Sequence, residues 1–257
     1  MSYHYSRGWR GLTVVAVPPL SRALVRRDWR SQNRVPTTGA LIVAANHNSE
    51  ADPLALCHYL WASGRRYPVF LAKSALFGKG FVARVVRGTG QIPVLRGGAS
   101  AADSLKPAEE ALRAGQCLVV YPEGTCTRDP DLWPMTGQTG AARLALATGT
   151  PVVPVASWGA HELLPYRKGE KGGLASSLKP GFHPLPRKTI KVIAGPPVDL
   201  SKYAGQPLTT ATLRAATADI MQAITALVSE LRGERAPAEV YDRHQAVEQR
   251  RAAAPPD

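Results

Sequence analysis

Apolar residues follow two rhythms that alternate along the chain. Short, mostly apolar runs at 40–44, 68–72, 91–95, 116–120, 151–156 and 188–194 read as buried strands. Pro93 inside the third run predicts an edge position or a bulge, because proline cannot donate to a sheet ladder. Between these runs the apolar positions recur at helical spacing. Helices are predicted from Pro53 through Leu54, Leu56 and Leu60, over 77–86, within 101–114, and over 139–148 with Gly149 as the stop. In 101–114, Pro107 implies either a kink or a start near that residue. The strongest helix runs over 210–231, with Leu213, Ala216, Ile220, Ile224, Leu227 and Leu231 on one face and Gly233 after it. Residues 159–187, rich in Gly, Pro, Lys and Ser, read as long loops. Strands alternating with helices predict an α/β fold, a largely parallel sheet flanked by helices.

Residues 1–35 carry a different pattern. Trp9, Leu12, Ala16, Leu20 and Leu24 recur at helical spacing, while Arg22, Arg26, Arg30 and Arg34 stand four apart with Trp29 beside them. Pro18 and Pro19 predict a break into two pieces. Such a basic amphipathic segment suits a helix lying in a lipid interface, with arginines at anionic headgroups contributing about 1 kcal/mol each. A helix packed on the domain with a solvated arginine face is the alternative. No stretch approaches the roughly 20 apolar residues of a membrane-spanning helix. No small-residue cleavage site of a signal peptide follows 12–20 either, so a soluble or surface-bound protein is expected. The resulting division is an N-terminal amphipathic, membrane-associating segment (1–35), an α/β domain (36–233) and a charged, partly disordered tail (234–257).

Composition narrows the partners. The chain of 257 residues suits one large domain, and 32 Lys and Arg against 19 Asp and Glu give a formal net charge of +13. An anionic partner is implied: nucleic acid, a phosphorylated metabolite or an anionic lipid surface. Aromatics make up only 7% and do not interleave with the basic runs, which argues against nucleic acid. Cys57, Cys117 and Cys126 form no C-x-x-C pair and fit a reduced, cytosolic setting.

The candidate chemistry begins where the 40–44 run ends. Asn46 and His47 fall at the carboxyl end of that strand, where open α/β sheets place their ligands. Asp52 follows five residues after His47, and in a continuous helix the two would face about 140° apart, so contact between them requires a turn. Asp52-Pro53 is a helix start. One carboxylate oxygen is expected to cap the helix while the other accepts the ring N–H of His47, leaving the second ring nitrogen to take a proton from a hydroxyl. That is a base without a nucleophile. Lys73, Arg96 and Glu123-Gly124-Thr125 end three other strands, and neighbouring strands would bring them into one cleft suited to an anionic substrate. Gly124 leaves room for backbone N–H groups to approach a phosphate or an oxyanion. A serine hydrolase is disfavoured because no G-x-S-x-G is present. A metal site is disfavoured because neither His47-Glu50-Asp52 nor His161-Glu162 has a second histidine.

Taken together, Asn46-His47 with Asp52, Gly90 to Arg96, Tyr121-Pro122-Glu123-Gly124-Thr125 and Val152-Val153-Pro154-Val155 occur in the order and rough spacing of the four motifs of the glycerolipid acyltransferases. Over residues 40–160 the chain most resembles the 1-acylglycerol-3-phosphate acyltransferases. The resemblance implies that His47 is the general base on a lysophosphatidate hydroxyl and that Asp52 holds its ring. It also implies that Arg96, Glu123 and Gly124 bind the acceptor and that Pro154 lies on the acyl-donor side. Thr125 and Lys73 would complete the acceptor site. No metal and no cofactor are implied beyond an acyl-coenzyme A or acyl carrier protein thioester as co-substrate. Phospholipid synthesis at the cytoplasmic face of the cell membrane, as a peripheral protein, is the expected setting.

Two positions depart from the family pattern. Cys126 stands where an arginine is common, and Arg128, two residues on and on the same face of an extended chain, is the expected substitute. Gln138 stands where a lysine is expected. Glycerol 3-phosphate, another lysophospholipid or a glycolipid therefore remain as acceptors, and a catalytically silent lipid-surface binder remains as a further class.

Overall fold

The computed structural model describes residues 4–94, 105–166 and 181–242. Its elements are α1 (Arg7–Leu24), β1 (Val25–Arg30), β2 (Leu41–Ala45), α2 (Asp52–Ala62), β3 (Pro68–Lys73), α3 (Phe81–Gly88), β4 (Ile92–Val94), α4 (Lys106–Arg113), β5 (Cys117–Val120), α5 (Gly140–Thr148), β6 (Val152–Trp158), α6 (Ala160–Leu163), β7 (Lys188–Ala194) and α7 (Thr210–Arg232).

β2 shows how the sequence builds the layers. All five of its residues are buried, and successive side chains alternate between two cores. Leu41, Val43 and Ala45 pack with Ala55, Leu56, Tyr59 and Leu60 of α2. Ile42 and Ala44 pack with α4, α5 and α7 through Leu112, Leu144, Ile220 and Ile224. Each large apolar side chain so buried contributes roughly 1.5–3 kcal/mol.

Among the described residues seven strands form one sheet in the order β1-β7-β6-β2-β5-β3-β4. Its pairs are parallel except β6 with β7. The predicted largely parallel α/β fold is therefore present, with Pro93 on the end strand. The parallel order β2-β5-β3-β4 brings the carboxyl ends of those four strands to one side of the sheet. α7 closes at Gly233, whose φ of 68° is the left-handed C-cap conformation open to glycine.

The N-terminal segment differs from expectation. α1 runs unbroken through Pro18 and Pro19, although the prolines remove the donors to the carbonyls of residues 14 and 15. Tertiary contacts compensate. Arg10 donates to Thr89 O (3.1 Å) and to Gln116 Oε1 (2.9 Å), and Trp9 packs so closely on Gly88 that a side chain there would start 2.3 Å from the indole ring. Residues 25–30 are not helical. They pair with β7 as an edge strand, so the four arginines share no helical face and the first 35 residues are not separable from the domain. At the other end, Tyr241 O accepts from Thr136 N (3.1 Å), so residues 234–242 lie against the domain; 243–257 lie outside the described residues.

Candidate active site

The chain leaves β2 at Ala45 and turns before α2 begins at Asp52. Ala51 is the N-cap and makes no side-chain cap bond, so Asp52 is the first residue of the helix rather than its cap. Its carboxylate points back into the turn. Oδ2 accepts from Asn48 N (2.9 Å) and Ser49 N (2.8 Å) and lies 3.0 Å from His47 Nδ1, while Oδ1 accepts from Ser157 Oγ (3.2 Å). The carboxylate therefore holds the His47 ring as expected, but it braces the turn before α2 instead of capping the helix. Asp52 is fully buried, and these donors replace the water it loses. With Nδ1–H donating to Asp52, His47 Nε2 is the acceptor nitrogen.

The His47 backbone is held on both sides. Its N–H donates to Glu123 Oε1 (2.8 Å) and its carbonyl accepts from Thr127 N (2.6 Å). Glu123 Oε2 accepts from Met135 N (3.1 Å). Burial pushes the Glu123 carboxyl up to about 8, against the two N–H groups that favour its charged form. Asn46 joins β2 to β6: its amide donates to Ser157 O (2.9 Å) and accepts from Ser157 N (2.8 Å). The His47 ring stacks on Tyr121 with centroids 4.1 Å apart. Cys126 Sγ lies 3.4 Å from His47 Nε2, and burial together with the nearby Asp52 and Glu50 carboxylates pushes its thiol up, so the sulfur carries its proton. It is a weak donor to the base.

The His47 side chain, 14% exposed, opens onto a largely apolar cavity of about 1400 Å³. Lys73, Gly124 and Thr125 line this cavity with it, as do α1 through Val17 and Leu20 and α3 through Val82 and Val85. Lys73 Nζ stands 3.6 Å from Glu50 Oε1. Gly124 takes a φ of 71°, and its N–H closes the turn onto Tyr121 O (2.9 Å), so it contributes space and backbone conformation rather than a donor.

Other expected contacts fall elsewhere. Glu123 is 1% exposed and lies beneath the site, where it holds His47 instead of a substrate. Arg128 does not line the cavity, and its Nε is buried without a partner among the described residues. The two-residue shift from 126 to 128 keeps a side chain on one face only in an extended chain, and Thr127 is turned inward to bond His47 O and Trp133 O. Pro154 is also off the cavity wall. It sits in β6 opposite Ala44, with its carbonyl accepting from Gly195 N (2.8 Å). Arg96 lies outside the described residues. Asn46 and Tyr121 belong to the motifs read from the sequence, but the bond of Asn46 to Ser157, the stacking of Tyr121 on His47 and the parts of Thr127 and Ser157 carried no sequence signal. Among the described residues no group of three or more His, Cys, Asp or Glu could hold a metal ion.

The fold and the His47–Asp52 pair define an α/β protein with a carboxylate-oriented histidine at the carboxyl ends of its strands. The chain belongs to the Acyltransferase family, whose family model matches residues 26–158. It is 30% identical over 125 residues to a chloroplastic 1-acyl-sn-glycerol-3-phosphate acyltransferase, BAT2, of Brassica napus, covering 48% of this chain and 34% of that protein. It is 34% identical over 122 residues to a 1-acyl-sn-glycerol-3-phosphate acyltransferase of Borreliella burgdorferi, covering 47% of this chain and 46% of that protein. The match thus spans less than half the length of either curated relative. The crystal structure of the 1-acyl-sn-glycerophosphate (LPA) acyltransferase PlsC from Thermotoga maritima shares the fold, with a TM-score of 0.61 at 22% identity over 89% of this chain and 83% of that one.

Proposed function

We propose that the protein transfers a fatty acyl group from an acyl thioester, of coenzyme A or of acyl carrier protein, to the free hydroxyl of a lysophosphatidate. The observation that carries this reading is a carboxylate-oriented histidine opening directly onto a large apolar cavity, with no activated nucleophile beside it. The names of the two curated relatives support the choice of acceptor.

His47 Nε2 exchanges its weak contact with the Cys126 thiol for the acceptor hydroxyl and removes the proton as the oxygen attacks the thioester carbonyl. The C–O bond forms and the C–S bond breaks. The imidazolium, stabilised by Asp52, then returns the proton to the departing thiolate. No metal or cofactor takes part in this scheme. The acyl chain lies in the apolar part of the cavity.

Thiol release from palmitoyl-coenzyme A, with and without lysophosphatidate, tests the reaction. Acceptor-dependent release is expected. None with lysophosphatidate, glycerol 3-phosphate or other lysophospholipids, from either donor type, would overturn the reading in favour of a silent lipid-surface protein.

The same reading places the protein on an anionic membrane surface, at the cytoplasmic face. No described helix is long and apolar enough to cross a membrane. Val15, 72% exposed, and Phe81, 65% exposed, stand on α1 and α3, while Leu20 and Val82 are both exposed and cavity-lining, which suits entry of an acyl chain from a lipid layer. Because deleting residues 1–35 would also remove β1, the test is flotation of Leu12→Asp/Val15→Asp with vesicles containing phosphatidylglycerol. Flotation equal to wild type would remove the membrane claim.

A further inference from the structure

We infer that Arg143 is, among the described residues, one that selects a phosphate-bearing acceptor, an assignment that rests on the acyltransferase reading. Among the described residues only two basic side chains, Lys73 and Arg143, line the cavity that His47 opens onto. Lys73 is already paired with Glu50 at 3.6 Å. Arg143 has no carboxylate partner among the described residues, and within the cavity wall no acidic side chain other than Glu50 is available to give it one. A cation facing a substrate cavity without a counter-ion among the described residues is placed for an anionic group of the substrate. A guanidinium can bind a phosphate through two parallel N–H donors.

The surroundings set where that anion sits. Gln138 N donates to Pro122 O (2.7 Å), which ties the segment before α5 to the turn carrying Glu123 and Gly124. Gln138, Thr139, Gly140 and Arg143 then line the cavity one after another, Arg143 lying a single helical turn beyond Thr139 and Gly140. A side chain built on Gly140 would meet nothing within 4 Å, so the space beside this stretch is open. The lysine expected at 138 is absent, and Arg143 supplies a positive charge to the same stretch of wall from the next turn. A lysophosphatidate carries its phosphate on the carbon adjacent to the one bearing its free hydroxyl. Holding that phosphate at Arg143 keeps the neighbouring hydroxyl inside the cavity that His47 opens onto.

The experiment compares lysophosphatidate with 1-monoacylglycerol, the same acceptor without its phosphate, in wild type, Arg143→Gln, Arg143→Lys and Gly140→Leu, reading kcat and KM with palmitoyl-coenzyme A or a palmitoyl acyl carrier protein donor. Loss of one charge-assisted contact is expected to raise KM for lysophosphatidate roughly ten- to a hundredfold in Arg143→Gln. KM for monoacylglycerol and kcat should stay near wild type, with Arg143→Lys intermediate. Gly140→Leu, which fills the open space, is expected to lose the same preference. The ratio between the two acceptors is read within each variant, so a folding defect lowers both and leaves it unchanged. An unchanged ratio in Arg143→Gln, whether both rates persist or both fall, overturns the assignment while the wild-type turnover upholds the acyltransferase reading. A wild type that acylates neither acceptor overturns both.

Discussion

The two sides of the cavity achieve their shape by opposite means. On one, His47 is held at its N–H by Glu123, at its carbonyl by Thr127, at Nδ1 by Asp52 and across its ring face by Tyr121. On the other, α1 and α3 contribute apolar side chains that need only fill space. The proposed proton transfer depends on direction and on tenths of an ångström, and its wall is made of short contacts from the segments that follow β2 and β5. Holding a hydrocarbon chain depends on area removed from water, so its wall tolerates exchange of one apolar residue for another.

The largest expected effect breaks the directional wall at its centre. His47→Ala should lower acceptor-dependent thiol release by roughly 10²–10⁴-fold, the range for a lost general base. Release unaffected by the substitution would keep the reaction and remove His47 as its base. On the apolar wall the expected effect is graded instead of catastrophic. Val85→Trp should shorten the space for the acyl chain, costing about fourfold in kcat/KM per displaced methylene for long-chain donors and little for short ones. Uniform loss across chain lengths would show that the cavity does not hold the acyl chain.

Two buried groups tie stability to pH in opposite senses. Glu123 is pushed from 4.5 up to about 8 by burial, so the folded state binds its proton more tightly than the unfolded one; this stabilises the fold at low pH and is lost as pH rises through 8. His58, buried near Arg27 and Arg22, is pushed from 6.5 down to about 4, so its contribution is lost as pH falls through that interval. The two oppose each other between 4.5 and 6.5, leaving Glu123 alone from 6.5 to 8. Thermal unfolding of the wild type should accordingly show a falling Tm from pH 6.5 to 8, and Glu123→Gln should flatten that slope. An identical slope in the variant would mean that the carboxyl is ionised throughout. The smallest effect is expected from Cys126→Ala. Removing a weak donor from Nε2 should change kcat by less than about tenfold, since a thiol bond is weaker than an ordinary hydrogen bond. A loss comparable to that of His47→Ala would give the sulfur a direct part in the chemistry.

Legibility in the sequence follows the same divide. The strands at 40–44, 68–72, 116–120 and 151–156, the helix over 210–231 and the pairing of His47 with Asp52 were readable, because apolar runs and a polar pair across a tight turn are local properties of the chain. β1 was not. Val25-Arg26-Arg27-Asp28-Trp29-Arg30 has a single fully buried residue, and its strand form depends on the β7 edge beside it. Arg128 was misplaced for a similar reason: the direction of Thr127 is set by His47 O and Trp133 O, not by its neighbours in sequence.

By itself the sequence determined the α/β alternation, the pairing of His47 with Asp52 across the turn after β2, and the formal net charge of +13. Only the tertiary structure decided that Glu123 is buried beneath His47 and accepts its N–H, that α1 closes one side of the cavity despite its two prolines, and that Arg143 joins the cavity wall. Those outcomes turn on contacts between residues far apart in sequence, such as His47 with Glu123, 76 positions on, and Arg10 with Gln116, 106 positions on, and no local pattern encodes them.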